Sequence, residues 1–129
     1  MTDAHWSLPR RASSACAARS AIKEFMTDSG CSAIDTDPVV LVVSELVSNA
    51  ILHAGGADQS IELMADHHGG FVHIEVHDHD PRPPETGPTP VDADRGRGLL
   101  IVDQLAHQWG WEPEQGGKRV WCEMAVRGR

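Results

Sequence analysis

Glu45, Asn49 and His53 stand four residues apart along one stretch of the chain. On a helix, spacings of i, i+4 and i+8 set such residues in a single line. Val39, Val43, Leu46, Ala50 and Ala54 run beside that line as an apolar stripe. A carboxylate and an amide placed at the edge of a core need something to pair with them. A divalent cation carrying an anionic ligand meets that need. The asparagine carbonyl oxygen can coordinate a hard ion, and the glutamate can orient a water or accept a proton. The same spacing also describes an amphipathic helix whose polar line faces water.

A second candidate lies on a strand. Val72, Ile74, Val76 and Asp78 share one face by the period of two, and His73, Glu75 and His77 share the other. With the apolar set facing a core, Asp78 points inward at the strand's end. Its carboxylate there can accept a hydrogen bond from an exocyclic amine such as that of adenine. A strand-terminal aspartate that merely turns the chain is the alternative. The third candidate, Arg95-Gly96-Arg97-Gly98-Leu99-Leu100, opens a helix. Glycines at such a place let the backbone approach an anion, free N–H groups at the helix start bind phosphate, and the two arginines add charge.

Other chemistries fit less well. No strand immediately precedes Gly96 and no third glycine follows Gly98, which argues against a Rossmann site, and Gly117-Lys118-Arg119 lacks the rest of a Walker A loop. Ser44 and Ser48 sit inside the helix with no G-x-S-x-G elbow. His73 and His77 share a strand face but lie four residues apart, too far to share one transition-metal ion easily. Among Trp109, Trp111 and Trp121, packing is the expected role of at least two.

The elements that must position these residues follow from periodicity and punctuation. A short strand is expected around residues 5–8. A helix then opens at Pro9, with Ala12, Ala15, Cys16, Ile22, Phe25 and Met26 on its apolar stripe and Gly30 as its stop. Arg19, close to that stripe, is expected to lay its stem flat with its head in water. A second helix is expected to start at Asp37-Pro38 and to run through residues 39–54 to Gly55-Gly56. Residues 60–65 and 71–78 read as strands joined by the turn 66–70, residues 81–94 as a proline-rich loop, and residues 99–107 as a third helix. A hairpin of residues 109–112 and 120–126 around residues 114–117 closes the chain. Hairpin-paired strands and three helices predict an α+β two-layer sandwich, with the helices on one face of a largely antiparallel sheet.

The chain has 129 residues, with 40% apolar residues and a formal charge of −8 from 19 acidic and 11 basic side chains. That length predicts one domain over residues 1–129, and the charge argues against direct nucleic-acid binding. Residues 39–43 form the longest strongly apolar run, too short to cross a bilayer. The first eleven residues lack the apolar stretch of a signal peptide. Three widely spaced cysteines, Cys16, Cys31 and Cys122, suit a reducing cytoplasm rather than a disulfide framework. A cytoplasmic protein is expected.

Taken together, these patterns resemble a known superfamily. Glu45-Leu-Val-Ser-Asn49-Ala-Ile-Leu-His53-Ala is similar to the N-box of the Bergerat-fold (GHKL) ATPases, which include gyrase, histidine kinases and MutL. Asp78 stands where that family has its adenine-binding aspartate, and Gly96-Arg-Gly98-Leu99 matches its second glycine box. The 81–94 loop is placed like its ATP lid. The size, the N-box ending in His53, and the closing Gly117-Lys-Arg-Val-Trp-Cys-Glu segment most resemble the anti-sigma-factor serine kinases and the small actinobacterial ATP-binding regulators of that type. The likeness covers residues 6–126.

The resemblance implies a Bergerat fold binding ATP and Mg²⁺. Asn49 would hold the metal, Asp78 would read adenine, and His53, Asp80, Arg95, Gly96, Arg97, Gly98 and Leu99 would line the nucleotide site. Glu45 would be the general base toward a serine hydroxyl of an anti-sigma-factor antagonist, which competes with a sigma factor for the kinase. Dimers occur in the family, so a homodimer is an expected assembly. A catalytically inactive ATP-binding regulator acting through partners alone is the other reading. The chain departs from the family at its first glycine box: Asp-x-Gly-x-Gly is replaced by Asp78-His79-Asp80-Pro81-Arg82, a substitution that similar small regulators often share. Arg119 stands where relatives often have a threonine.

Overall fold

The computed structural model describes residues 2–53, 60–80, 84 and 93–127. Along them run β1 (Thr2–Pro9), α1 (Ser13–Asp28), α2 (Ala33–His53), β2 (Ser60–His68), β3 (Phe71–Asp78), α3 (Ala93–Leu105), β4 (Gln108–Glu114) and β5 (Gly117–Ala125). The strands form one sheet in the order β1-β2-β3-β5-β4, antiparallel at every described pairing. This is the α+β sandwich that the sequence predicts.

Period-two alternation sets the two faces of the sheet. Ile61, Leu63 and Ala65 of β2, Val72, Ile74 and Val76 of β3, and Val120, Cys122 and Met124 of β5 are all buried. They meet Ile22 and Met26 of α1, Val39, Val43 and Val47 of α2, and Leu99 and Val102 of α3 in one apolar cluster. Burying such side chains contributes about 1.5–3 kcal/mol each. The opposite face is polar. There His73 Nε2 and His77 Nε2 lie 2.8 and 2.9 Å from the two oxygens of Glu75, and Arg119 reaches Glu75 at 3.2 Å and Glu112 at 2.6 Å. Trp121 stacks on His73 on this face, whereas Trp109 and Trp111 pack against the core.

Several boundaries differ from the sequence expectation, each for a local reason. Pro9 ends β1 instead of opening a helix, and its carbonyl accepts a hydrogen bond from the Ser14 hydroxyl. The buried stripe of α1 is Ser14, Ala18, Ile22, Phe25 and Met26, which leaves Cys16 exposed. Helix α2 begins at Ala33, not at Asp37-Pro38, because Ser32 caps it: its hydroxyl accepts the Asp35 N–H at 3.3 Å and its carbonyl accepts the Thr36 N–H. Pro38 consequently falls in the second turn, where its missing N–H removes one intrahelical bond.

Strand β2 continues through Asp66, His67 and His68, because all three pair with β3 and the first two also pair with β1. The turn shrinks to Gly69-Gly70, with Gly69 at φ +61°. Helix α3 starts at Ala93, so Asp94 belongs to it and not to the loop, and it ends at Leu105, two residues short of His107. The rest of the 81–94 loop, apart from buried Pro84, lies outside the described residues, as do Ala54, Gly55 and Gly56.

Candidate functional site

Asp78 ends β3 on the inward face, directly across from Lys118 of β5. Alternation along β5 places Lys118 on the same face as Val120, Cys122 and Met124, so a cation is driven into the layer between sheet and helices. The two side chains are 2% and 1% exposed. A charge so deeply buried is costly unless paired and hydrogen-bonded, and this one is both. Lys118 Nζ lies 3.1 Å from Asp78 Oδ2 and 3.3 Å from Oδ1, and it donates to the Asp80 carbonyl oxygen at 3.1 Å. The Asp80 N–H donates to Asp78 Oδ1 at 2.9 Å, closing a local Asx-type turn.

Gly117 makes this corner possible. A Cβ at that position would overlap the Asp78 carbonyl oxygen and stand 2.8 Å from its carbonyl carbon. Only glycine lets β5 begin this close to the end of β3. The corner thus follows from two adjacent residues: one with no side chain, and one whose long side chain reaches back over Asp78.

Helix α2 supplies the second group. It packs against α1, α3, β2 and β3. Glu45 is half-buried, while Asn49, one turn on, is only 6% exposed. Among the described residues the Asn49 Nδ2 has no hydrogen-bond partner. An orphaned buried donor costs about 1–3 kcal/mol, so the fold keeps Asn49 at a penalty that a ligand would relieve. Rotating the amide exchanges its carbonyl and amino groups. Either can therefore be offered, and a carbonyl oxygen suits Mg²⁺. The carbonyl oxygen of Asn49 is of the donor type that holds Mg²⁺, and its Nδ2 is the atom left without a partner among the described residues, so the residue fits that ion by its chemistry.

Next to Glu45, Ser44 is buried and accepts a hydrogen bond from Arg19 Nη1 at 2.9 Å. The Arg19 head is therefore pinned to α2 rather than standing in water. Arg10 Nη1 donates to the Ile51 carbonyl at 3.2 Å, tying the start of α1 to the last turn of α2.

Arg95, Gly96, Arg97 and Gly98 fall inside α3 rather than at its opening, as the third to sixth residues of a helix that starts at Ala93, and the surroundings of their side chains lie outside the described part of the structure. The side chain of His53, the last residue of α2, lies outside it as well. Leu99 is a core residue, 1% exposed. Asp80 is buried at 3% and belongs to the Asp78 corner. The structure thus gathers Asp78 and Asp80 at one point, with Glu45 and Asn49 on the helix that packs against their strand. Lys118 is a functional candidate that the sequence patterns do not single out. A lysine at an inward position of an alternating strand, opposite an inward aspartate, is the signal that marks it.

Comparison with known proteins bears on the family and the fold. The profile of the family described as "Histidine kinase-like ATPase domain" matches residues 8–124. An uncharacterized protein of Streptomyces coelicolor is 32% identical over 85 residues, which is 64% of this chain and 81% of that protein. Among solved structures, the RsbU and RsbW domains of a Mycobacterium tuberculosis protein superpose with a TM-score of 0.77 at 21% identity, over 98% of this chain and 33% of that one. The histidine kinase domain of a blue-light activated kinase from Erythrobacter litoralis gives a TM-score of 0.53 at 23% identity, over 71% of this chain and 45% of that one. The chain thus spans a third to a half of these two structures, and at such identities the likeness concerns the fold. With nearly the whole chain matched, an asparagine on the second helix whose Nδ2 has no partner among the described residues, and an inward aspartate at the end of the third strand, the chain belongs to the family of histidine kinase-like ATPase domains.

Proposed function

We propose that the chain binds ATP with Mg²⁺ and transfers phosphate to a serine of a partner protein. The observation that carries this reading is buried Asn49, whose Nδ2 has no partner among the described residues, one helical turn from half-buried Glu45. Asn49 would hold the ion, Asp78 would accept the adenine amine, and the first turns of α3, with Arg95, Gly96, Arg97 and Gly98, would receive the phosphates. His53, Asp80 and Leu99 would complete the surroundings of the nucleotide. When bound, Mg²⁺ supplies neutralisation of phosphate charge. Glu45, half-buried and not engaged by Arg19, would take the proton from the serine Oγ as that oxygen attacks the γ-phosphorus and the bond to the β,γ-bridging oxygen breaks, releasing ADP.

The RsbW domain among the similar folds supports the partner class: an anti-sigma-factor antagonist as substrate and a sigma factor as the competing ligand. No helix among the described residues is long and apolar enough to cross a membrane. Incubation with γ-labelled ATP and a serine-bearing antagonist tests the reading, because label on the antagonist is expected only from a kinase.

One observation favours a second reading, a regulator that binds nucleotide without transferring phosphate. The first glycine box has lost both of its glycines, to Asp80 and Arg82, which takes away the close backbone approach to the phosphates that transfer needs. Nucleotide binding without label on any antagonist would select that reading.

A further inference from the structure

The Asp78–Lys118 pair is the most deeply buried charge pair among the described residues, and neither the proposed transfer step nor the family likeness gives Lys118 a task. Its contacts suggest one. Lys118 spends its hydrogens on both carboxylate oxygens of Asp78 and on the Asp80 carbonyl, so it fixes the plane of the carboxylate and the path of the chain beyond it. Asp80 stands where a glycine-rich turn would be expected, and the lysine holds its carbonyl instead. Oδ1 is shared between the Asp80 N–H and Lys118, whereas Oδ2 accepts from Lys118 alone. A carboxylate oxygen has room for a second donor, so Oδ2 is the acceptor left for a base.

We propose that Lys118 is a positioning residue that aims Asp78 Oδ2 at an exocyclic amine, and so sets selectivity for adenine over a purine carrying a carbonyl oxygen at that position. This rests on the proposed nucleotide site. A base that places an oxygen against Oδ2 meets a fixed acceptor with an acceptor, and a rigid polar site rejects such a mismatch strongly. The Asp78 side chain is 2% exposed, so a base reaches Oδ2 only by displacing what covers it.

The test compares affinities of the full chain for ATP, GTP and inorganic tripolyphosphate, each with Mg²⁺. Wild type is expected to prefer ATP to GTP. K118M is expected to lose that preference by roughly tenfold or more while keeping its affinity for tripolyphosphate, which has no base. K118R, which retains a cation able to pair with the carboxylate, is expected to keep more of the preference than K118M. An unchanged ATP/GTP ratio in K118M would overturn the proposal, as would an equal loss for all three ligands, which is the mark of a merely structural role. Should K118M fail to fold, the wild-type protein still decides. The ammonium resonance of Lys118, followed by NMR, is expected to shift on adding ATP and to stay in place with tripolyphosphate; a resonance indifferent to ATP would overturn the assignment. A wild-type chain that binds no nucleotide would remove the proposed function itself, whereas nucleotide binding without base preference removes this inference alone.

Discussion

Gly117 lies so close to Asp78 that a methyl group on it would overlap the Asp78 carbonyl oxygen. The clash would be with backbone, which cannot rotate away, so the two strands would have to part. That contact holds β3 and β5 in the register that pairs Asp78 with Lys118.

Gly117→Ala is therefore expected to destabilise the fold by roughly the 1–3 kcal/mol typical of overpacking, or more. Thermal or urea unfolding measures it directly. Gly116→Ala is a useful contrast, since Gly116 sits at φ +79° with nothing near its would-be Cβ. Strain without a clash is expected to cost about 1 kcal/mol. Equal stability of the two variants would show that the close approach is not a constraint.

A pH dependence follows from the open face of the sheet. Burial opposes ionisation of Glu75, but the hydrogen bonds from His73 and His77 and the charge of Arg119 outweigh it and hold the carboxyl below its ordinary value of 4.5. Burial likewise opposes protonation of His77, and its bonds to Glu114 and Glu75 outweigh that, raising the imidazole above 6.5. The raised histidine stabilises the fold fully below 6.5 and loses that contribution as pH climbs through its folded-state value. The depressed carboxylate stabilises above 4.5 and loses its contribution as pH falls through its folded-state value. Stability from this network should be greatest between those two values. Melting temperatures of His77→Gln measured across that range and up to neutral pH should show a flatter decline on the alkaline side than wild type.

Glu45→Gln is expected to leave ATP affinity unchanged and to slow transfer to a serine-bearing antagonist by roughly 10²–10⁴-fold, the usual contribution of a general base. Single-turnover labelling at saturating ATP separates the two effects. Transfer at the wild-type rate would show that another group, or none, takes the serine proton.

Much of the architecture is legible in the chain because burial writes itself into sequence as periodicity. The alternation Val72-Ile74-Val76-Asp78 places Asp78 inward by its period alone, and the stripe Val39-Val43-Leu46-Ala50 is the buried face of α2. Boundaries are less legible because they depend on single hydrogen bonds. Ser32 outcompetes Asp37-Pro38 as the start of α2, since its hydroxyl and carbonyl both find partners one turn ahead. At Asp66-His67-His68 a polar composition suggests a turn, but sheet pairing extends the strand. Lys118 is hard to recognise because a lysine ordinarily lies at the surface; only its cross-strand register reveals that it answers a buried aspartate. For Asn49, spacing along the helix identifies the residue and its need for a partner, whereas the orphaned Nδ2 is a consequence of packing.

The central claim is that the buried Asn49 amide serves a nucleotide carried with a divalent ion. Isothermal titration of the full chain with ATP, with and without Mg²⁺ and repeated for Asn49→Ala, addresses it most directly. The account predicts saturable binding that requires Mg²⁺ and falls by roughly tenfold or more in the variant, with the variant's melting temperature no lower than wild type's, because a small apolar group there leaves no orphaned donor. Binding that ignores Mg²⁺, or an Asn49→Ala protein that binds ATP as wild type does, would contradict it.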